Sequence, residues 1–150
     1  MVYVDTSVLV AMCTQEAKTP DVLQWYADCT QELVSAAWCV TEFASALGLK
    51  QRTGQLSAEQ ANTAWVQFER VCANDLQLLP VAATIFHKAA MMTMNATSGL
   101  RAGDALHLAC ASEAKCKTMA TLDVVLAKNA KLLQMDVEDL KKKKMTKIWM

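Results

Sequence analysis

Four acidic residues, Asp5, Glu42, Asp104 and Asp123, stand at the boundaries of apolar segments in this sequence. Asp5 closes the run Val2-Tyr3-Val4, Asp123 follows Thr118 to Leu122, Glu42 lies early in a helical pattern and Asp104 opens another. In an open parallel sheet, the crevice outside the carboxyl ends of the strands gathers residues from distant positions in the chain. Carboxylates crowded there repel one another and raise each other's pKa unless a cation offsets them. A donor set of oxygens alone points to Mg²⁺ or Mn²⁺, which are commonly held by one or two carboxylates together with waters and substrate phosphate. The chemistry that follows is attack of an activated water on a phosphate ester, assisted by one ion or by two about 3.5 to 4 Å apart.

The neighbours of these acids suit the same task. Thr6 and Ser7 after Asp5, and Thr121 before Asp123, offer hydroxyls to a metal-bound water or a substrate phosphate, and the helix opening at Thr6 adds its positive end. Arg101 and Lys128 are candidate phosphate contacts or plain surface charges. His107, three residues after Asp104 and on the same helical face, reads as a packed histidine or as a partner of the acidic site. Each acid also has an ordinary reading: Asp5, Asp104 and Asp123 as N-caps, Glu42 as a first-turn acid, with Ser7 as a further cap candidate. Four acids at one end of one sheet favour a built site over four independent caps. Within it Asp5, Asp104 and Asp123 read as direct ligands, while Glu42 is a ligand, a partner through water, or a general base.

Strands and helices in alternation must position them. Val2 to Val4 predicts a first strand, with helices over Thr6 to Cys13 and Pro20 to Cys29, the second carrying Pro20 and Asp21 in its first turn. A second apolar segment spans Glu32 to Ala36, and Val40, Phe43, Ala44 and Leu47 make one face of a helix over Trp38 to Lys50. Ser57 and Gln60 form a capping-box signature for a helix through Cys72. Leu76 to Leu79 predicts a third strand, Ala82 to Met94 a helix, Asn95 to Gly99 a loop and Asp104 to Lys115 a helix. Thr118 to Leu122 predicts a fourth strand, Val124 to Leu133 a helix and Met135 to Val137 an edge strand. The alternation implies parallel pairing with right-handed crossovers.

Composition bounds the rest. A chain of 150 residues, 53% hydrophobic with 4 Gly and 2 Pro, suits one compact domain over residues 1–140 followed by a basic tail over 141–150. Its six cysteines form no Cys-x-x-Cys pair and have no histidine at zinc-finger spacing, which disfavours both a zinc site and a secreted disulfide framework. Neither a membrane-spanning run nor a signal-peptide pattern stands in the sequence, so no membrane association is expected and a cytoplasmic setting is. Five of the fifteen basic residues lie in the tail, leaving residues 1–140 with ten against fifteen acidic, a net charge of −5. That balance is unusual for a nucleic-acid binder.

The opening Val4-Asp5-Thr6-Ser7-Val8-Leu9, Glu42 in its post-strand helix, Leu100-Arg-Ala-Gly-Asp104-Ala-Leu-His-Leu-Ala109, and Thr121-Leu-Asp123 with the helix to Leu133 together resemble the PIN domain. Within that family they resemble the VapC-like toxins of toxin–antitoxin modules, and the resemblance covers the chain to about residue 137. It implies a three-layer α/β fold with a central parallel sheet of four or five strands flanked by helices. It also implies a Mg²⁺- or Mn²⁺-dependent endoribonuclease with Asp5, Glu42, Asp104 and Asp123 as its acidic quartet. Such proteins are usually homodimers inhibited by a cognate antitoxin, and act on transfer or ribosomal RNA. An antitoxin helix would use an apolar groove, for which Trp25, Trp38, Trp65 and Phe68 are candidate linings. Where many relatives carry a basic or second acidic residue after the fourth acid, this chain has Val124 and Val125.

Two other classes place acids at strand ends. A dehalogenase-type phosphatase needs a second Asp where Ser7 stands, and a receiver needs an Asp closing the third strand where Pro80 stands. A PIN-like scaffold without catalysis, binding RNA or protein, is the third reading, and the presence of all four acids speaks against it.

Overall fold

A computed structural model describes residues 1–140; the lysine-rich tail lies outside the described residues. The chain runs β1 (Val2–Val4), α1 (Thr6–Cys13), α2 (Thr19–Asp28), β2 (Leu33–Ala36), α3 (Trp38–Arg52), α4 (Ala58–Asn74) and β3 (Leu76–Leu79). It continues through α5 (Ala83–Met94), a 3₁₀ turn at Ala96–Ser98, α6 (Ala102–Glu113), β4 (Thr118–Ala120), α7 (Val124–Leu132) and β5 (Asp136–Val137). The five strands are parallel in the order β3-β2-β1-β4-β5. The parallel pairing expected from the alternation, and the α/β architecture that the resemblance implies, are the ones observed.

Period-two alternation in β1 divides the core. Val2 and Val4 pack on one face with Val8, Leu9, Phe43, Phe68 and Leu76, whereas Tyr3 packs on the other with Leu106, Ala109, Met119 and Leu126. Phe43 and Phe68 stack with centroids 4.2 Å apart, locking α3 against α4 in the first layer. Buried on both sides, the central strand reads as a continuous apolar run, as parallel strands do.

Two features of the path direct side chains to one end of the sheet. The strand order reverses direction at β1, with β2 and β3 to one side and β4 and β5 to the other, which opens a crevice beyond the carboxyl ends of β1 and β4. A crossover helix runs antiparallel to the strand it feeds, so α3, α6 and α7 begin at that same end. Local signals set the starts: the capping box at Ser57 and Gln60 opens α4 as its sequence indicates, and Pro20 sits in the first turn of α2. Among the described residues no helix is long and apolar enough to cross a membrane.

Several boundaries differ from the sequence reading. β4 ends at Ala120 rather than Leu122, because the Thr121 hydroxyl captures the Asp123 N–H at 3.0 Å and turns the chain into α7. α6 starts at Ala102, two residues early, and Ala96–Ser98 of the expected loop winds into a 3₁₀ turn closed by Gly99 at φ 70°.

Candidate active site

Asp5 leaves β1 as the N-cap of α1, its backbone N–H donating to Ala120 at the end of β4 and its Oδ1 accepting from the Val8 N–H at 3.3 Å. Its side chain is 2% exposed, and two hydroxyls serve it there. Ser7 Oγ donates to Oδ1 and Thr121 Oγ1 donates to Oδ2, each at 2.6 Å. The direction of both bonds is fixed from behind: Ser7 Oγ accepts the Leu122 N–H and Thr121 Oγ1 accepts the Asp123 N–H, so each hydroxyl proton is left for Asp5. Burial pushes the Asp5 pKa up, and the bonds from Ser7 and Thr121 oppose that push. The cap of α1 is therefore Asp5, with Ser7 joining the β1–α1 and β4–α7 turns instead of capping.

Glu42 sits in the second turn of α3, one turn after Trp38. Thr6 Oγ1 donates to Glu42 Oε1 at 2.6 Å, and His107 Nε2 hydrogen-bonds to the same oxygen while lying 3.1 Å from Thr6 Oγ1. Burial alone would raise the Glu42 pKa, yet the His107 ring, the Thr6 hydroxyl and the neighbouring Trp38 indole outweigh it and lower the value. The indole N–H of Trp38 is itself buried without a partner of full hydrogen-bond geometry, one of two such side-chain polar atoms among the described residues. Against this pair lies Gly103, where an added Cβ would stand 2.7 Å from Glu42 Oε2 and 3.4 Å from Trp38 Nε1. Only a residue without a side chain lets α6 approach Glu42 this closely.

Asp104 occupies the first turn of α6, where Arg101, not Asp104, is the N-cap. Among the described residues its carboxylate accepts no hydrogen bond, and its pKa is pushed up to about 6 by burial first, then by Asp123, Asp5 and Glu42, with His107 opposing. Asp104 thus feels all three other acids. Asp123 caps α7, its Oδ1 accepting from the Leu126 N–H at 2.8 Å. None of the four is ion-paired with Lys or Arg among the described residues.

All four acids therefore lie toward the carboxyl end of the sheet, with Asp104 within electrostatic reach of the other three, although among the described residues no three His, Cys, Asp or Glu side chains are drawn close enough to hold one ion. The donor chemistry nonetheless fits a hard divalent cation: four carboxylates with no Lys or Arg partner, one of them carrying no hydrogen bond. Of the other expected contacts, Arg101 is exposed at the start of α6 and Lys128 is exposed on α7, while the hydroxyls of Thr6, Ser7 and Thr121 are turned to Glu42 and Asp5. Sequence reasoning did not single out Tyr3 or Gly103, and it placed Trp38 in a partner groove instead of beside Glu42. The period-two register that sends Tyr3 to the face of α6, and the i+4 spacing from Trp38 to Glu42, are the signals that point to two of them.

A groove of about 420 Å³ lies away from the acids between α1, α2 and α4, lined in part by Met12, Cys13, Leu23, Leu56 and Ala64. Of the aromatic residues expected to line a groove, Phe68 is buried, and Trp25 and Trp65 pack against the first core layer. Trp38 packs against the second.

The profile of the family described as PIN domain matches residues 2–132. No curated protein matches the chain. Among solved structures the fold is similar to VapC20 of Mycobacterium tuberculosis, a Sarcin-Ricin loop cleaving toxin, with a TM-score of 0.70 and 14% identity over 86% of this chain and 95% of that one. It is similar also to FitAcB of Neisseria gonorrhoeae, with a TM-score of 0.65 and 20% identity over 93% and 98% of the two chains. A third is VapBC2 of Rickettsia felis bound to a promoter DNA fragment, with a TM-score of 0.61 and 14% identity over 92% and 98%.

Proposed function

The chain belongs to the PIN-domain family, and from that premise we propose that it is a Mg²⁺- or Mn²⁺-dependent endoribonuclease, the toxin of a toxin–antitoxin pair. The observation that supports this reading is Asp104 within electrostatic reach of Asp123, Asp5 and Glu42 near the switch point of the sheet, its pKa raised to about 6 by burial first and then by those acids. A cluster that costs this much to ionise suits a site whose charge is completed by a cation.

Asp5, Asp104 and Asp123 would hold the ion and Glu42 would complete the set or accept the proton of the attacking water. The bound ion supplies charge stabilisation at the phosphate and a lowered pKa for water. The protein's own part is positioning. Ser7 and Thr121 hold both oxygens of Asp5 in place, which we read as their role ahead of substrate contact, and Thr6 does the same for Glu42. Arg101, exposed beside Asp104, is placed to meet a phosphate of the substrate strand, and Lys128 is a second candidate. The buried indole N–H of Trp38, beside Glu42, adds a donor that favours the ionised carboxylate.

RNA as substrate is supported by the similarity to a toxin that cleaves the Sarcin-Ricin loop, and a transfer or ribosomal RNA is the class we assign. The likeness to VapBC2 supports an antitoxin partner, and the groove between α1, α2 and α4 suits the apolar face of an antitoxin helix. Phe86, Met91 and Met94, exposed on α5, suit a homodimer contact. Six unpaired cysteines suit a reducing cytoplasm.

The test is cleavage of total RNA by purified wild type and Asp104→Asn, each in Mn²⁺, Mg²⁺ or EDTA. Discrete, metal-dependent fragments from the wild type alone are expected. Silence of the folded, antitoxin-free wild type in every lane would overturn the assignment.

A further inference from the structure

Beneath the carboxylates lies a polar pair in the second core layer. Tyr3 is 0% exposed and His107 1%, and their rings meet edge-on with centroids 5.7 Å apart. A hydrogen-bonded series runs through them toward the crevice. The Ala36 N–H donates to the Tyr3 hydroxyl at 3.1 Å, that hydroxyl lies 2.7 Å from His107 Nδ1, and His107 Nε2 meets Glu42 Oε1. Since the Tyr3 oxygen already accepts from Ala36, its own proton is free to go to Nδ1, and Nε2 is left as the ring's donor toward Glu42.

We propose that Tyr3 and His107 form a positioning couple that fixes Glu42, holding Oε1 from below and leaving Oε2 as the oxygen turned to the metal and substrate. The inference rests on the reading of Glu42 as a member of a divalent-metal site. A buried histidine needs partners for its nitrogens wherever it sits, but an aliphatic pair would fill the same space without desolvating two polar rings, and the partner His107 meets toward the acids is Glu42. The couple also ties two acids to one element: α6 carries Asp104 in its first turn and, three residues on, the ring that orients Glu42. This is the arrangement by which residues behind a metal ligand fix its orientation, and losing such a partner costs roughly 10- to 100-fold in metal affinity or activity.

Two measurements test it. The chain has 2 histidines, and His87 is exposed on α5, so long-range ¹H–¹⁵N spectra of the metal-free wild type at about pH 8 report the His107 ring cleanly. A proton on Nε2 alone is expected; a proton on Nδ1 would overturn the couple without any variant. Mn²⁺ is then titrated calorimetrically into wild type, Tyr3→Phe, Glu42→Gln and the double variant, each confirmed folded. Tyr3→Phe should weaken Mn²⁺ binding about tenfold, and should add nothing once Glu42 is already Gln, because both changes act through one carboxylate. Losses that add, or Tyr3→Phe binding Mn²⁺ as the wild type does, would overturn the positioning role while leaving the metal site standing. A folded wild type with the expected tautomer that binds no Mn²⁺ would remove the metal reading and this inference with it.

Discussion

At Gly103 the absence of a side chain carries information, since a Cβ there would stand 2.7 Å from Glu42 Oε2 and only the carboxylate has room to move. Gly103→Ala should favour the helix by roughly 0.5 to 1 kcal/mol from propensity alone. It should nonetheless displace Glu42, and a misplacement near 1 Å costs up to about 100-fold in rate. A melting temperature unchanged or raised beside a cleavage rate at least about tenfold lower is the expected outcome. A normal rate would mean that Glu42 Oε2 has no fixed place in the chemistry. Asp104 permits a pH test with a definite sign. Its folded pKa of about 6 lies above the ordinary 3.8, so the folded state binds the proton more tightly than the unfolded chain does. That contribution is present below pH 3.8 and is lost as pH rises through about 6. In EDTA, Asp104→Asn should therefore melt higher than wild type at about pH 8 and show no such gain at about pH 4. A variant that melts lower at about pH 8 would give Asp104 an ordinary stabilising role. The places of the four acids at element boundaries were legible in the sequence. Their hydrogen-bond partners were not, because Ser7 to Leu122 and Tyr3 to His107 are separations that no local pattern encodes.

The turns after β1 and β4 behave as one element, although 116 residues separate Asp5 from Thr121. Ser7 and Thr121 each satisfy one backbone N–H of the β4–α7 turn and one oxygen of a buried carboxylate. Ser7→Ala and Thr121→Val should each cost about 1 to 3 kcal/mol, the usual penalty for leaving buried polar groups unpaired. The two costs should fail to add, since Asp5 is common to both. Urea midpoints of the two single variants and the double variant measure this, and strict additivity would show that the hydroxyls act separately. Helix and strand identities were readable from periodicity and from the Ser57 capping box, and parallel pairing followed from their alternation. The end of β4 was not, since Thr118 to Leu122 has the composition of a five-residue strand and a side-chain hydroxyl, not a Gly or Pro, stops it at Ala120.

The whole chain carries no formal net charge, because the five tail lysines offset a net −5 over residues 1–140. Without the tail, long-range steering of RNA toward the acids is unfavourable and binding there must come from local contacts. If Arg101 and Lys128 supply two phosphate contacts, log affinity for single-stranded RNA should fall against log salt with a slope of about −1.4. Binding by a catalytically dead Asp104→Asn variant across a salt series gives that slope, and a value steeper than about −3 would mean that more basic groups, those of the tail included, take part. The fold class was legible because alternating strands and helices admit few layered solutions, but the strand order was not, since pairing choice lies in contacts between segments far apart. That order matters during synthesis. β1 emerges first yet takes the central place in the sheet, with Thr118–Ala120 as one of its two neighbours. At about 5 to 20 residues per second, Asp5 is made roughly 6 to 23 s before Thr121. During that interval β1 lacks one neighbour and the carboxylate lacks its second hydroxyl, so the acidic site cannot assemble until β4 and the turn after it have been translated.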